Sequence, residues 1–258
     1  VKGVIQTVHS KMNHAYCPNE TQILYQLLSE NGQTGLMVDV GAAQGDSLSP
    51  FAESGWRIIA FEPEATNRGI LSERFAAHTN VTIDPRACSD IPHPEATLYT
   101  SKVSTGVSSL SPFLNTHIPA QQVCVTTLSE AFLDHGLFEQ KIDFLKIDTE
   151  GYDLMVLKGY PWSACNPPDV ILCEFEDTKT IPLGYCLNDM VDFLLSKAYH
   201  LIISEWYPIK SYGGPHHWRC FAIYPYTLKD TKGWGNIIAV RDGNVYDELC
   251  RSFHLDIN

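Results

Sequence analysis

Val38-Asp39-Val40-Gly41-Ala42-Ala43-Gln44-Gly45 is an apolar strand end that runs into a turn carrying two glycines. The buried-strand run begins at Leu36, and a helical stretch at 47–54 follows the turn. Strand, glycine turn and helix in that order open an α/β unit in which backbone can approach a ligand closely. Downstream, apolar runs at 57–61, 81–84, 142–147, 170–175, 201–204 and 219–224 alternate with helical patterns at 65–77, 128–135, 152–158 and 187–197. Upstream, Pro18-Asn19-Glu20-Thr21 opens an amphipathic helix that stops at Asn31-Gly32. Such alternation implies an α/β architecture, a mostly parallel sheet with helices on both faces and ligands beyond the carboxyl ends of the strands. The stretch 96–125 reads as extended pieces and loops. Three segments are expected: an irregular start with a helix at 1–34, the α/β domain at 35–226, and an extension at 227–258 packed on the same domain. In that extension, 236–240 reads as an added strand and 246–253 as a helix.

Composition narrows the function classes. The 258 residues, 44% of them hydrophobic, suffice for one well-buried domain. Thirty acidic against 18 basic residues give a net charge of −12, the wrong sign for a partner bound through its phosphates, so no nucleic acid is expected. No apolar run approaches the ~18 residues of a spanning helix, so no membrane partner is expected either. The start, Val1-Lys2-Gly3-Val4, has neither an initiator Met nor a signal-peptide core and reads as a mature or excised piece. The eight cysteines include no C-x-x-C pair. A cytoplasmic location is expected. Nothing in the sequence reads out an oligomeric state.

The glycine spacing G-x-x-x-G differs from the G-x-G-x-x-G of dinucleotide binders, and no Gly-Lys-Ser/Thr follows to cradle a phosphate. Asp39 at the strand end suits a site for S-adenosylmethionine, where a carboxylate faces a cationic ligand. About 20 residues on, Ala60-Phe61-Glu62-Pro63 ends the next strand with a carboxylate able to accept both ribose hydroxyls of a nucleoside. In Lys146-Ile147-Asp148-Thr149-Glu150-Gly151-Tyr152-Asp153, Asp148 and Glu150 sit where a further strand ends, and Glu150 could also simply cap the next helix. Glu174 alternates with apolar neighbours in the run after it. Two imidazoles, His216 and His217, lie in a glycine-rich loop before the last strand, and His217 is the favoured base of the two. Trp206, Tyr207, Tyr212 and Trp218 could stack on sugar faces, although core packing explains aromatics as readily.

In this order and spacing the motifs resemble the FkbM-type methyltransferases. The matching pieces are Asp-Val-Gly-Ala at 39–42, Phe-Glu-Pro at 61–63, Ser-Ser-Leu at 108–110, Lys-Ile-Asp-Thr-Glu-Gly-Tyr-Asp at 146–153, Leu-Lys-Gly at 157–159 and Glu174. The resemblance implies a Rossmann-like class I methyltransferase fold with a seven-stranded sheet. It also implies S-adenosylmethionine as methyl donor and a hydroxyl of a sugar or secondary metabolite as acceptor, a small-molecule or saccharide partner. On this reading Asp39, Gly41, Ala42 and Gly45 border the methionine part, Glu62 and Pro63 the ribose, and Ala87, Cys88 and Ser89 the adenine. The match departs at Ala43, where many members have Asn, and at Ser129, where Asp commonly follows the Leu.

An aliphatic hydroxyl attacks a methyl sulfonium only as its proton leaves, which calls for a general base. Asp148 and His217 are the candidates, with Glu174 orienting or sharing charge. A rival scheme places Mg²⁺ on Asp148, Glu150 and Glu174; the metal-free scheme is the expectation. Two other classes stand beside it: a nicotinamide-dependent oxidoreductase, which the glycine spacing opposes, and a non-catalytic binding module of a larger glycan-modifying protein.

Overall fold

The computed structural model describes residues 17–256; the irregular start expected at 1–16 lies outside them. In chain order the first elements are α1 (Glu20–Leu28), β1 (Leu36–Val40), α2 (Ser49–Glu53), β2 (Arg57–Phe61), α3 (Ala65–Arg74) and β3 (Val81–Asp84). Next come β4 (Ala87–Cys88), β5 (His93–Ser101), β6 (Ser104–Ser109), β7 (His117–Thr126), α4 (Leu128–Asp134), β8 (Phe144–Ile147) and α5 (Asp153–Lys158). The rest are β9 (Val170–Glu176), α6 (Asp177–Thr180), α7 (Leu187–Ser196), β10 (His200–Trp206), β11 (Trp218–Ile223), β12 (Trp234–Val240) and α8 (Gly243–Ser252).

The main sheet runs β11-β10-β12-β9-β8-β1-β2-β3. From β3 to β9 all neighbours are parallel, and β12, β10 and β11 continue it antiparallel. This is the Rossmann-like architecture, with eight strands where seven were expected. The correction lies at one end. The strand expected last, around 219–224, is the edge strand, and β12 from the C-terminal stretch enters between β9 and β10. Its chemistry explains the place: Ile237, Ile238, Ala239 and Val240 are fully buried, an unbroken apolar run that fits a strand covered on both faces.

The alternation of β1 builds both layers. Leu36, Val38 and Val40 face one core, packed with Leu128, Phe132, Leu154, Leu157, Met190 and Leu194 of α4, α5 and α7. Met37 faces the other, with Phe51, Leu71 and Leu249 of α2, α3 and α8. Asp39 therefore points to the Met37 side, away from the Val40 side.

The 96–125 region, expected as loose extended pieces, forms part of a second sheet of order β4-β7-β5-β6. Its small core is Ala87, Leu98, Val123 and Val125, and register shifts along β5 break the alternation a sequence reader looks for. This sheet stands over the carboxyl ends of β1, β2 and β8. Among the described residues no helix is long and apolar enough to cross a membrane.

Candidate functional site

At the carboxyl ends of the parallel strands Val40 pairs with both Phe61 and Ile147, so the segments leaving β1, β2 and β8 emerge side by side. Gly41 (φ +84°) turns the chain over β8: its N–H and that of Ala42 both donate to the Phe61 carbonyl at 3.0 Å. A Cβ on Gly41 would lie 1.9 Å from the carbonyl oxygen of Asp148. Only glycine permits that approach, because both the positive φ and the missing side chain are needed. Ala43 also sits at positive φ (+47°), directing its N–H to Glu62 Oε2 at 2.7 Å.

Glu62 is the carboxylate at the head of the first cavity. It is buried, and its other oxygen accepts the N–H of Glu64 at 2.8 Å. Burial pushes its pKa up to about 7, against the two backbone hydrogen bonds, which lower it. The cavity, about 570 Å³, is lined by Gly41, Ala43, Glu62, Pro63, Ala87, Cys88, Ser108, Ser109 and Asp148 among others. One end is apolar (Phe61, Ala87, Cys88, Leu98) and the other polar (Asp148, Thr149, Glu150). Arg86, not singled out in the sequence, also lines it, its guanidinium held by Asp84 at 2.6 Å and Asp134 at 2.7 Å.

The ends of β8 and β9 converge on a lysine. Lys179 of α6 has its Nζ 2.5 Å from Glu150, 3.1 Å from Glu174 and 2.8 Å from Glu176, with only 2% of its side chain exposed. Burial alone would lower the Lys179 pKa, but the three carboxylates outweigh it and raise it. Burial likewise raises Glu150 to about 7, partly offset by Lys179, and pushes Glu174 well above its ordinary value. Glu150 reaches this place through a left-handed backbone (φ +56°), and its carbonyl accepts the Ser109 hydroxyl at 2.8 Å. A second cavity of about 500 Å³ opens on the same wall. Glu150 and Gly106 line both cavities; Glu174, Lys179, Tyr212, His216 and Trp234 line the second alone.

The structure therefore brings together Gly41, Glu62, Pro63, Cys88 and Asp148 around the first cavity, with Glu174 across Glu150 in the second. Five of the expected site residues line neither cavity. Asp39 is fully buried and lines neither cavity, because β1 alternation turns it inward to Ser47 Oγ (2.6 Å) and Lys146 Nζ (3.3 Å). Ala42 and Gly45 lie behind the turn, Gly45 against Phe75 and Leu71. Ser89 packs beneath Gly159. His217 is exposed, and its neighbour His216 faces the second cavity. Of the four candidate aromatics only Tyr212 lines a cavity; Trp206 and Trp218 direct their indole N–H groups to Glu20 and Ser204. Lys179 and Trp234 were not legible in the sequence, since neither sits in a motif.

Asp148, Glu150 and Glu174 bring carboxylate oxygens within 4.8 Å of one another, as a magnesium scheme requires. A cation is nevertheless already built in, because Lys179 takes an oxygen from each of the two glutamates.

The Gly41 contact yields a matched test. Gly55 shares the left-handed φ (+87°) but has open space around it. Gly55→Ala is expected to cost about 1 kcal/mol from backbone strain, and Gly41→Ala at least ~3 kcal/mol, because the Asp148 carbonyl must move. Urea unfolding of the two variants checks this; equal losses would deny the close contact.

A model of the methyltransferase FkbM domain matches residues 39–201. No curated protein matches the chain by sequence. Among solved structures, the precorrin-6y C5,15-methyltransferase of Geobacter metallireducens is 14% identical, with 90% of this chain and 93% of that one covered and a TM-score of 0.44. An O-methyltransferase of Bacillus cereus, solved in complex with SAH, is 11% identical, with 88% and 83% covered and a TM-score of 0.44. With the family model covering most of the chain, from the β1 turn into β10, this protein belongs to the FkbM family and is an S-adenosylmethionine-dependent methyltransferase.

Proposed function

We propose that the protein methylates a hydroxyl group, and that a sugar or glycan carries it. The observation behind this reading is the pair of cavities meeting at Glu150, one holding the buried Glu62 carboxylate beside apolar residues and one lined by carboxylates and aromatics. The first cavity suits the donor on its own chemistry. A buried carboxylate, Glu62, stands between an apolar end fit for a purine and a polar end fit for an amino acid. Bound there, S-adenosylmethionine supplies an electrophilic methyl group.

The residues then divide the work. Glu62, with Pro63 beside it, accepts the ribose hydroxyls; Ala87 and Cys88 cover the adenine; Gly41, Ala43 and Asp148 border the methionine end. Asp39 acts at one remove by holding Lys146, which also contacts Asp148 at 3.3 Å. Glu150 is the general base, the one carboxylate that faces both cavities, and its pKa of about 7 suits a base working near neutral pH. Glu174 orients the acceptor. Asp148 and His217, the candidates read from the sequence, lie at the donor end and on the surface. The reaction is metal-free on this reading, with Lys179 supplying the positive charge that fixes the carboxylates.

Four outcomes are expected. Transfer of labelled methyl to saccharide acceptors, followed by product analysis, finds the label on oxygen. The wild-type rate constant rises roughly tenfold between about pH 6 and pH 8, because Glu150 must be ionised to take the proton and ionises through about 7. Glu150→Gln lowers kcat by roughly 10²–10⁴-fold and flattens that limb, with KM little changed. Full turnover by a folded Glu150→Gln protein would remove it as the base. Separately, Glu62→Gln is expected to weaken S-adenosylhomocysteine binding by roughly 10–100-fold in calorimetric titration. Unchanged affinity would place the ribose elsewhere.

A further inference from the structure

The second cavity has a charge balance that bears on what enters it. Three carboxylates, Glu150, Glu174 and Glu176, surround one ammonium. Lys179 donates hydrogen bonds to Glu150 and Glu174, and Glu176 makes an ion-pair contact at 2.8 Å. With its side chain 2% exposed, the ammonium is enclosed by these carboxylates and offers little to an incoming anion. His216 is the other basic group on the lining, and burial together with Lys179 lowers its pKa, which keeps the imidazole neutral. The lining carries two carboxylates, Glu150 and Glu174, against the one ammonium of Lys179, and Glu176, 2.8 Å from that ammonium, adds a third carboxylate to the cluster. The remaining surface includes the rings of Tyr212 and Trp234, and aromatic faces attract cations. Carboxylates and aromatic rings around a space with no free cation make a site for an ammonium group.

We propose that the acceptor carries a cationic amine close to the hydroxyl that is methylated, as an amino sugar or amino alcohol does, and that phosphorylated or carboxylated acceptors are rejected. The proposal rests on the reading of the second cavity as the acceptor site. Glu174, deeper than Glu150 and confined to this cavity, faces the ammonium; Glu150 is left to take the hydroxyl proton. A phosphate in the same place would meet two carboxylates and a lysine enclosed by its own carboxylate partners.

The test uses the intact protein saturated with S-adenosylhomocysteine and titrated under ligand-observed NMR, at a pH where the amines are protonated. One probe set is glucosamine, glucose and glucose 6-phosphate. A second, without a sugar ring, is trans-2-aminocyclohexanol, cyclohexanol and trans-2-hydroxycyclohexanecarboxylate, which keep the charged group next to the hydroxyl. The expected result is that the amine binds roughly tenfold or more tighter than its neutral partner, with the anion weakest. Added salt and Glu174→Gln should both shrink that preference. Equal or tighter binding of the neutral or anionic members in both sets overturns the proposal. An amine preference confined to the cyclohexanol set keeps the charge selection and sinks the saccharide reading. Methyl transfer to the nitrogen of glucosamine supports amine binding but contradicts the hydroxyl as acceptor, so the two readings fail separately.

Discussion

One buried ammonium holds the working edge of this protein together. Lys179 joins the loop after β8, through Glu150, to the end of β9, through Glu174 and Glu176, and it carries the aromatic rings of Phe113 and Tyr212 against it at 5.1 and 5.7 Å. Such a cluster adds little net stability, because taking the charges out of water offsets their attraction. Breaking it is another matter: loss of the lysine would leave Glu150 and Glu174 buried without their cation, a cost on the order of 3–5 kcal/mol. Its function is to set geometry. It holds Glu150, which lines both cavities, beside Glu174, which lines the second.

The surrounding fold makes that arrangement possible. Parallel strands bring the carboxyl ends of β1, β2, β8 and β9 to one edge, and the bare Gly41 lets the β1 turn lie on the Asp148 carbonyl. Beside β9, the C-terminal strand β12 completes the sheet, and its first residue, Trp234, reaches the second cavity. The second sheet supplies the opposite wall of the first through Gly106, Ser108 and Ser109. The two cavities thus share few residues, and Glu150 at the boundary touches both.

Much of this was legible in the sequence. The glycine turn at 41–45, Glu62 one strand later and the 146–153 motif mark strand ends, and strand ends of a parallel sheet must share an edge. What was not legible turns on single-residue geometry. Asp39 and Val40 are neighbours, but alternation sends them to opposite faces, so the residue type pointed to the ligand while the strand pointed it inward. The same one-residue slip separates His217 from His216. Lys179 sits in Asp177-Thr178-Lys179-Thr180, a stretch without a motif, and its role exists only once β8 and β9 are paired. The place of β12 depends on competition between apolar strands for the centre of the sheet, which no local pattern reports.

The account stands most directly on where the donor's nucleoside binds. A crystal structure of the complex with S-adenosylhomocysteine tests it. The account predicts the ribose hydroxyls on Glu62, the adenine between Phe61 and Cys88, and the sulfur turned toward Glu150 with the second cavity left open. A nucleoside seated among Glu174, Tyr212 and Trp234, with Glu62 untouched, would contradict the division of the site and the roles that follow from it.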